Sequence, residues 1–226
     1  MMPAEKQLTP LEFNQYIHQS ISRRITEVIV HHTWRPRAVE YRGIDTVAGI
    51  RRYHMQVRGW SDNGYHFIVG PPGDIFRCRP LERSGGHCLN HNARSVGICH
   101  IGDFDVEEPT AYAGYQVGIN AVAALCKRFN LSENDVYFHR DFADKSCPGR
   151  KFDRTQYRLA VKKAMNSDSL KVVLLPSSEV IDCNPAIENG TARVDLRAVA
   201  EALGYEVHDH IRDQVKIYLR PIDPHQ

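Results

Sequence analysis

The chain has 226 residues, 42% hydrophobic and 25% charged, so it can bury a core in one or two domains. Lys and Arg (29) nearly balance Asp and Glu (27), and the formal charge of +2 gives no electrostatic reason to expect a nucleic-acid partner. The longest apolar stretches fall short of the roughly 20 residues that cross a bilayer, and no signal-peptide pattern precedes them. We therefore expect cytoplasmic synthesis without a signal peptide and no membrane insertion.

Hydrophobic periodicity predicts alternating helices and strands over the first 165 residues. Polar, Gly-rich composition predicts a surface loop over 84–94. The alternation predicts an α/β or α+β domain built on one central sheet. Four helices are predicted: one begins after a Thr9 cap, one after a cap at Asp45 or Thr46, and two span 110–129 and 153–165. The predicted strands are 25–32, 65–70, 75–78, 96–101 and 136–139.

A polar segment near residue 167 predicts a domain boundary. Residues 1–166 are expected to form one domain, 167–170 a linker and 171–226 a small α+β domain with net charge −3. The expected elements of this tail are strands over 171–175 and 179–183, a helix after Asp195, and a hairpin joining 205–208 to 214–219.

The six cysteines are too few and too irregularly spaced for a disulfide framework. Those at positions 78, 88, 99, 126 and 183 are expected to be inert thiols. The sixth, Cys147, follows His139 by eight residues, across a polar loop that ends in Pro148 and Gly149. Such a loop can direct an imidazole and a thiolate to one point, and zinc accepts nitrogen and sulfur ligands. A third ligand is expected from His31 or His32, because strands of one sheet bring their ends together.

Other kinds of metal site are excluded because the sequence lacks their motifs. The sequence has no H-E-x-x-H motif of zinc proteases, no nucleobase-deaminase signature and no paired C-x-x-C motifs of structural zinc modules. No methionine lies close after Cys147, near the His-Cys pair, where an electron-transfer copper site would need its axial ligand. A catalytic zinc site with an open position is the remaining interpretation.

Four segments follow one another along the chain: VIVHHT at 28–33, GYHFIV at 64–69, GGHCLNHNARSVGICHIGDF at 85–104 and HRDFADKSCPG at 139–149. In this order they resemble the zinc-dependent N-acetylmuramoyl-L-alanine amidases of the phage lysozyme-amidase and peptidoglycan-recognition-protein type. The resemblance spans about residues 8–166 and implies an α/β fold with a central mixed β-sheet flanked by helices.

The resemblance also implies site residues and a reaction. One zinc ion would be held by His31, His139 and Cys147, and Tyr65 and Lys145 would assist catalysis. The general base stays open between Tyr65, Lys145 and zinc hydroxide. In the loop that resembles the wall of the family's groove, His87 and Asn92 are candidate substrate contacts.

The implied activity is hydrolysis of the amide between N-acetylmuramic acid and L-alanine in peptidoglycan, by an autolysin or a prophage endolysin that reaches the wall after release. Recognition proteins without amidase activity commonly lack the zinc cysteine, so Cys147 favours an enzyme. The alternative is a non-catalytic peptidoglycan-binding protein with a retained zinc site.

The tail has the segment NGTARVDLRAVAEALGYEV at 189–207. With it, the tail resembles the small stalk domain at the N-terminus of copper amine oxidases, which is also appended to bacterial wall enzymes. Its expected use is oligomerisation or wall binding, and its negative charge favours oligomerisation over nonspecific attraction to an anionic wall.

Overall fold

A computed structural model describes residues 5–166 in full and, beyond them, the backbone of six short strands between residues 170 and 221. The chain divides into two compact units, Met1–Ser167 and Asp168–Gln226. Within the described residues no helix is both long enough and apolar enough to cross a membrane.

The first unit is built on one six-stranded sheet, in the order β1-β4-β3-β5-β2-β6. β3, β5, β2 and β6 run parallel, whereas β4 and the edge strand β1 add antiparallel pairs. The mixed central sheet expected from the sequence is therefore confirmed. The strands are β1 (Lys6–Leu8), β2 (Glu27–His32), β3 (Phe67–Val69), β4 (Ile75–Arg77), β5 (Ser95–His100) and β6 (Val136–Phe138).

Four α-helices flank the sheet: α1 (Pro10–Ile17), α2 (Ile44–Arg52), α3 (Ala113–Phe129) and α4 (Arg154–Asn166). The Thr9 cap is confirmed. Its hydroxyl accepts from the amide of Glu12 (3.2 Å), and the Glu12 carboxylate accepts from the Thr9 amide (2.8 Å), so two otherwise unpaired backbone donors at the helix start are satisfied.

The predicted start of α2 is wrong. Gly43, with φ +61°, occupies the N-cap, and Asp45 and Thr46 lie inside the first turn. The Thr46 hydroxyl instead accepts from the backbone amide of Arg42 (2.7 Å). Glycine adopts a positive φ without the steric cost that other residues incur, so the chain turns into the helix before the polar residues that could have capped it.

The two faces of the sheet have separate cores. Val28 and Val30 of β2 pack in the core that includes residues of α1, α3 and α4. On the opposite face, Val47 of α2 packs with Cys99 of β5. Because side chains alternate along a strand, His31 belongs to the face that α2 covers only in part. This alternation places His31 where a cleft can form.

Within its described residues, the second unit contains three antiparallel strand pairs: β7 (Leu170–Leu174) with β8 (Glu179–Cys183), β9 (Ala186–Glu188) with β10 (Thr191–Arg193), and β11 (Tyr205–Val207) with β12 (Leu219–Pro221). The pair β7–β8 matches the predicted strands to within one residue, and the pair β9–β10 was not predicted. Of the predicted hairpin partner 214–219, the structure describes Leu219, which lies in β12. Residues 214–218 and the predicted helix after Asp195 lie outside the described residues.

Candidate metal centre

Parallel pairing brings the first two candidate ligands together. β2 and β6 are neighbours, with Val30 opposite Phe138, so His31 and His139 each follow the aligned pair at the carboxyl end of the sheet. The centroids of their rings lie 4.6 Å apart. Two imidazoles that are 108 residues apart in sequence thus become adjacent because of strand register.

A hydrogen-bonded loop brings Cys147 back to His139. The amide of Arg140 donates to the carbonyl of Cys147 (2.8 Å), which closes the loop beside the strand end. The Arg140 guanidinium donates to the carbonyls of Gly149 and Phe152, both at 2.6 Å. Charge-assisted hydrogen bonds of this kind are stronger than neutral ones, so the arginine that follows His139 holds the segment carrying the cysteine.

The three predicted ligands converge. One donor atom from each of His31, His139 and Cys147 lies within 4.8 Å of the others, and this is the only such cluster of three or more His, Cys, Asp or Glu side chains in the part of the chain that the structure describes. Cys147 Sγ lies 3.7 Å from His31 Nδ1. His32 is outside the cluster, because its Nδ1 accepts a hydrogen bond from the amide of Phe104 (3.2 Å).

The donor set suits a borderline cation such as zinc. Burial, followed by nearby positive charge, holds the pKa of His31 well below its ordinary value and lowers that of His139 to about 4, so both imidazoles are neutral and offer lone pairs. Burial raises the pKa of Cys147 to about 12, while the amide of His32 donates to its sulfur (3.4 Å). A buried thiol of this kind gains most from a cation that stabilises its thiolate.

Two of the three candidate ligands, His139 and Cys147, line a cleft of about 420 Å³, and His31 lies buried beside them. Sequence reasoning did not single out Trp34, Asp105 or Ser146, which line the cleft together with the expected residues. The sequence offered one indication for Trp34, its position two residues after the second strand-end histidine. The lining residues are His32, Trp34, Tyr65, Asp105, His139, Lys145, Ser146 and Cys147.

Tyr65 precedes β3 and packs against the cluster of candidate metal ligands. Its ring centroid lies 5.2 Å from that of His31 and 5.5 Å from that of His54. Burial is the main cause that raises the pKa of Tyr65 well above its ordinary value. The phenol is therefore protonated at neutral pH and can act as a hydrogen-bond donor in the cleft.

Lys145 is exposed on the loop between His139 and Cys147 and lines the same cleft. Its charge is one of the causes that lower the pKa of His139. An ammonium group here can interact with a substrate oxygen or a leaving amine.

His87 and Asn92, the predicted substrate contacts, do not line this cleft. His87 is only 6% exposed and lies behind His31. The Asn92 side-chain oxygen accepts from the amides of His87 (2.8 Å) and Cys88 (2.9 Å), which closes the loop 87–92. Their contact with substrate stays a prediction.

The mixed sheet with its flanking helices is the fold of the amidases and peptidoglycan-recognition proteins. Residues 21–150 match the N-acetylmuramoyl-L-alanine amidase family, Amidase_2, and the chain belongs to this family. The match contains all three residues of the metal cluster.

Individual relatives include amidases and recognition proteins. A human N-acetylmuramoyl-L-alanine amidase is 30% identical over 125 residues, which are 53% of this chain but only 22% of the human protein. The amidase LysC from Clostridium intestinale has a TM-score of 0.52 at 29% identity, covering 68% of this chain and 91% of that one. A substituted form of Drosophila PGRP-LB in complex with tracheal cytotoxin has a TM-score of 0.51 at 28% identity, covering 59% of this chain and 80% of that one.

Proposed function

We propose that the first unit is a zinc-dependent amidase that cleaves the bond between N-acetylmuramic acid and L-alanine in peptidoglycan. The observation that carries this proposal is the convergence of His31, His139 and Cys147 beside an open cleft, which His139 and Cys147 line. Support for the substrate comes from Drosophila PGRP-LB, whose structure contains tracheal cytotoxin, a peptidoglycan fragment.

Zinc fits these residues, and when bound it would supply Lewis acidity and a water whose pKa is lowered toward ~7. Three protein ligands leave a fourth position open, as in catalytic zinc sites. The two neutral imidazoles and the Cys147 sulfur would hold the ion.

Two side chains beside the cluster, Tyr65 and Lys145, assist the reaction. The protonated hydroxyl of Tyr65 donates to the oxygen of the scissile carbonyl as negative charge develops there. The ammonium group of Lys145 stabilises the same charge or supplies a proton to the leaving amine. Both act from within the cleft that receives the amide.

Asp105, the one carboxylate that lines the described cleft, is a poor candidate for the general base. Its oxygens accept from the Ser146 hydroxyl (2.6 Å) and the Arg150 amide (2.8 Å). Burial acts to raise its pKa, but these hydrogen bonds together with nearby positive charge outweigh burial and lower the pKa. Asp105 therefore anchors the loop that carries Cys147, and the base remains open between Tyr65, Lys145 and the bound water.

Digestion of purified cell walls distinguishes this proposal from the alternative, a non-catalytic peptidoglycan binder. We expect new N-terminal alanine without new reducing sugar, because the amide and not the glycan is cut. Both products are measured on the same digest, with zinc-stripped protein as the control. New reducing ends without free amines would contradict the amidase assignment, and wall binding without either product would support the binder.

The second unit is proposed to promote action on intact cells, through self-association rather than direct wall binding. A unit of about 50 residues buries a core too small to be very stable by itself, which favours pairing with another copy. The likeness to an endolysin amidase of Clostridium intestinale supports an endolysin that reaches the wall after release.

Truncation after Ser169 tests this role. We expect zinc content and hydrolysis of small soluble muropeptides to be nearly unchanged, because the metal cluster and cleft lie within residues 31–147. Lysis of intact cells should weaken. Light scattering gives the mass of each form: the mass of a monomer for the full chain would refute self-association, and unchanged lysis would refute any contribution of the tail.

A further inference from the structure

A chain of hydrogen bonds leads from the metal cluster into the protein interior. His31 Nε2 lies 3.0 Å from His87 Nδ1, and His87 Nε2 lies 3.3 Å from the Ser95 hydroxyl oxygen. That hydroxyl lies 2.8 Å from the carbonyl oxygen of His91. The three side chains are buried, with exposed fractions of 1% for His31, 6% for His87 and 0% for Ser95.

The direction of donation along these hydrogen bonds follows from the innermost acceptor, the carbonyl oxygen of His91. A carbonyl oxygen can only accept, so the single proton of the Ser95 hydroxyl is donated to His91. The hydroxyl oxygen must then accept from His87 Nε2. A neutral imidazole has one N–H, so His87 Nδ1 carries a lone pair and accepts from His31 Nε2.

The tautomer of His31 is fixed by this direction of donation. With its proton on Nε2, a neutral His31 has its lone pair on Nδ1, the atom that lies 3.7 Å from Cys147 Sγ. Both rings are neutral because they are buried and, in the part of the chain that the structure describes, neither forms an ion pair with a carboxylate. The lone pair therefore points to the place where the three candidate ligands meet.

We propose that His87 is a positioning residue that, together with Ser95, fixes the tautomer and ring orientation of His31 for metal binding. This role deepens the proposed function, since it concerns the same metal site. It differs from substrate contact, because His87 acts through His31 from behind the cleft. Partners of this kind orient metal-bound histidines and raise their basicity.

The structure holds His87 in a narrow slot. A Cβ at Gly97 would lie 2.6 Å from His87 Cγ, and a Cβ at Gly85 would lie 2.7 Å from His87 Nε2. Real Cβ atoms do not approach so closely, so both positions require glycine while the imidazole occupies this place. Strand β5 and the loop before it thus leave room for this ring specifically.

Two matched variants test the role. His87→Asn keeps an acceptor near the position of Nδ1, whereas His87→Leu has similar bulk and no acceptor. We expect His87→Leu to bind Zn²⁺ about 10- to 100-fold more weakly than wild type, the range typical for loss of such a partner. His87→Asn should recover most of the affinity. Affinity is measured by competition with a chromophoric chelator, and circular dichroism of the metal-free proteins checks their folding.

Equal affinity of all three proteins would overturn the proposal, and so would equal loss in both variants, since shape rather than the acceptor would then matter. Long-range ¹H–¹⁵N correlation spectra of zinc-loaded wild type give a second readout. We expect a protonated Nε2 on His31, and a protonated Nδ1 would overturn the proposal. These measurements need no substrate, so failure of the amidase assay would leave this result standing.

Discussion

Alanine at His31, His139 or Cys147 is expected to remove zinc from the protein and to abolish amidase activity. Wild type should contain one zinc ion per chain and lose activity on chelation. Each substitution removes one of three converging donors, so the loss of zinc affinity should exceed the 10- to 100-fold typical of losing a supporting partner. Zinc content by elemental analysis and release of N-terminal alanine from walls are the measurements.

His32→Ala is the matched control, since it removes the neighbouring histidine of the same strand. Its Nδ1 accepts from the Phe104 amide and its ring stacks on the Phe104 ring at a centroid distance of 6.2 Å, so it offers no donor to the cluster. We expect this variant to keep its zinc. Loss of zinc equal to that of His31→Ala would contradict the assignment of His31, and not His32, as the zinc ligand.

Tyr65→Phe and Lys145→Ala are expected to retain fold and zinc but to lose activity by about 10²-fold or more, the effect of removing one oxyanion donor. Tyr65→Phe removes only the hydroxyl, and the ring continues to pack against His31. Lys145 is exposed, so its side chain can be shortened without opening a cavity. Turnover of small muropeptides at saturating substrate measures the effect.

Tyr53→Phe and Lys151→Ala are the controls for this pair. Tyr53 is 51% exposed, and neither side chain lines the cleft. Both control variants should turn over substrate as wild type does. Near-wild-type turnover in both the Tyr65 and Lys145 variants would show that Tyr65 only packs against its neighbours and that Lys145 only contacts solvent.

Local patterns in the sequence were sufficient for most elements of the first unit. The β-branched run before His31 predicted a buried strand, and the Thr9-Pro10 start predicted a helix, because both depend on residues close together in the chain. Short elements were missed for the same reason. The edge strand β1 has only three residues, and it forms because Lys6–Leu8 pairs with Ile75–Arg77, about 70 residues away.

At the site, the sequence by itself determined the chemistry: one histidine and one cysteine on a Pro-Gly-terminated loop, with a strand-end histidine as the third candidate ligand. The residues alone left His31 and His32 open, and the resemblance, weakly supported by strand alternation, favoured His31. Tertiary structure separated them, because strand alternation and the Phe104 amide direct the His32 ring elsewhere.

Tertiary structure also decided the place of His87. In the sequence it belongs to a polar loop, which predicts a surface position. In the fold it is buried, because glycines at 85 and 97 open a slot and His31 and Ser95 satisfy both ring nitrogens. A slot formed by two glycines from different segments depends on how β5 meets the loop, and local pattern carries no information about such a contact.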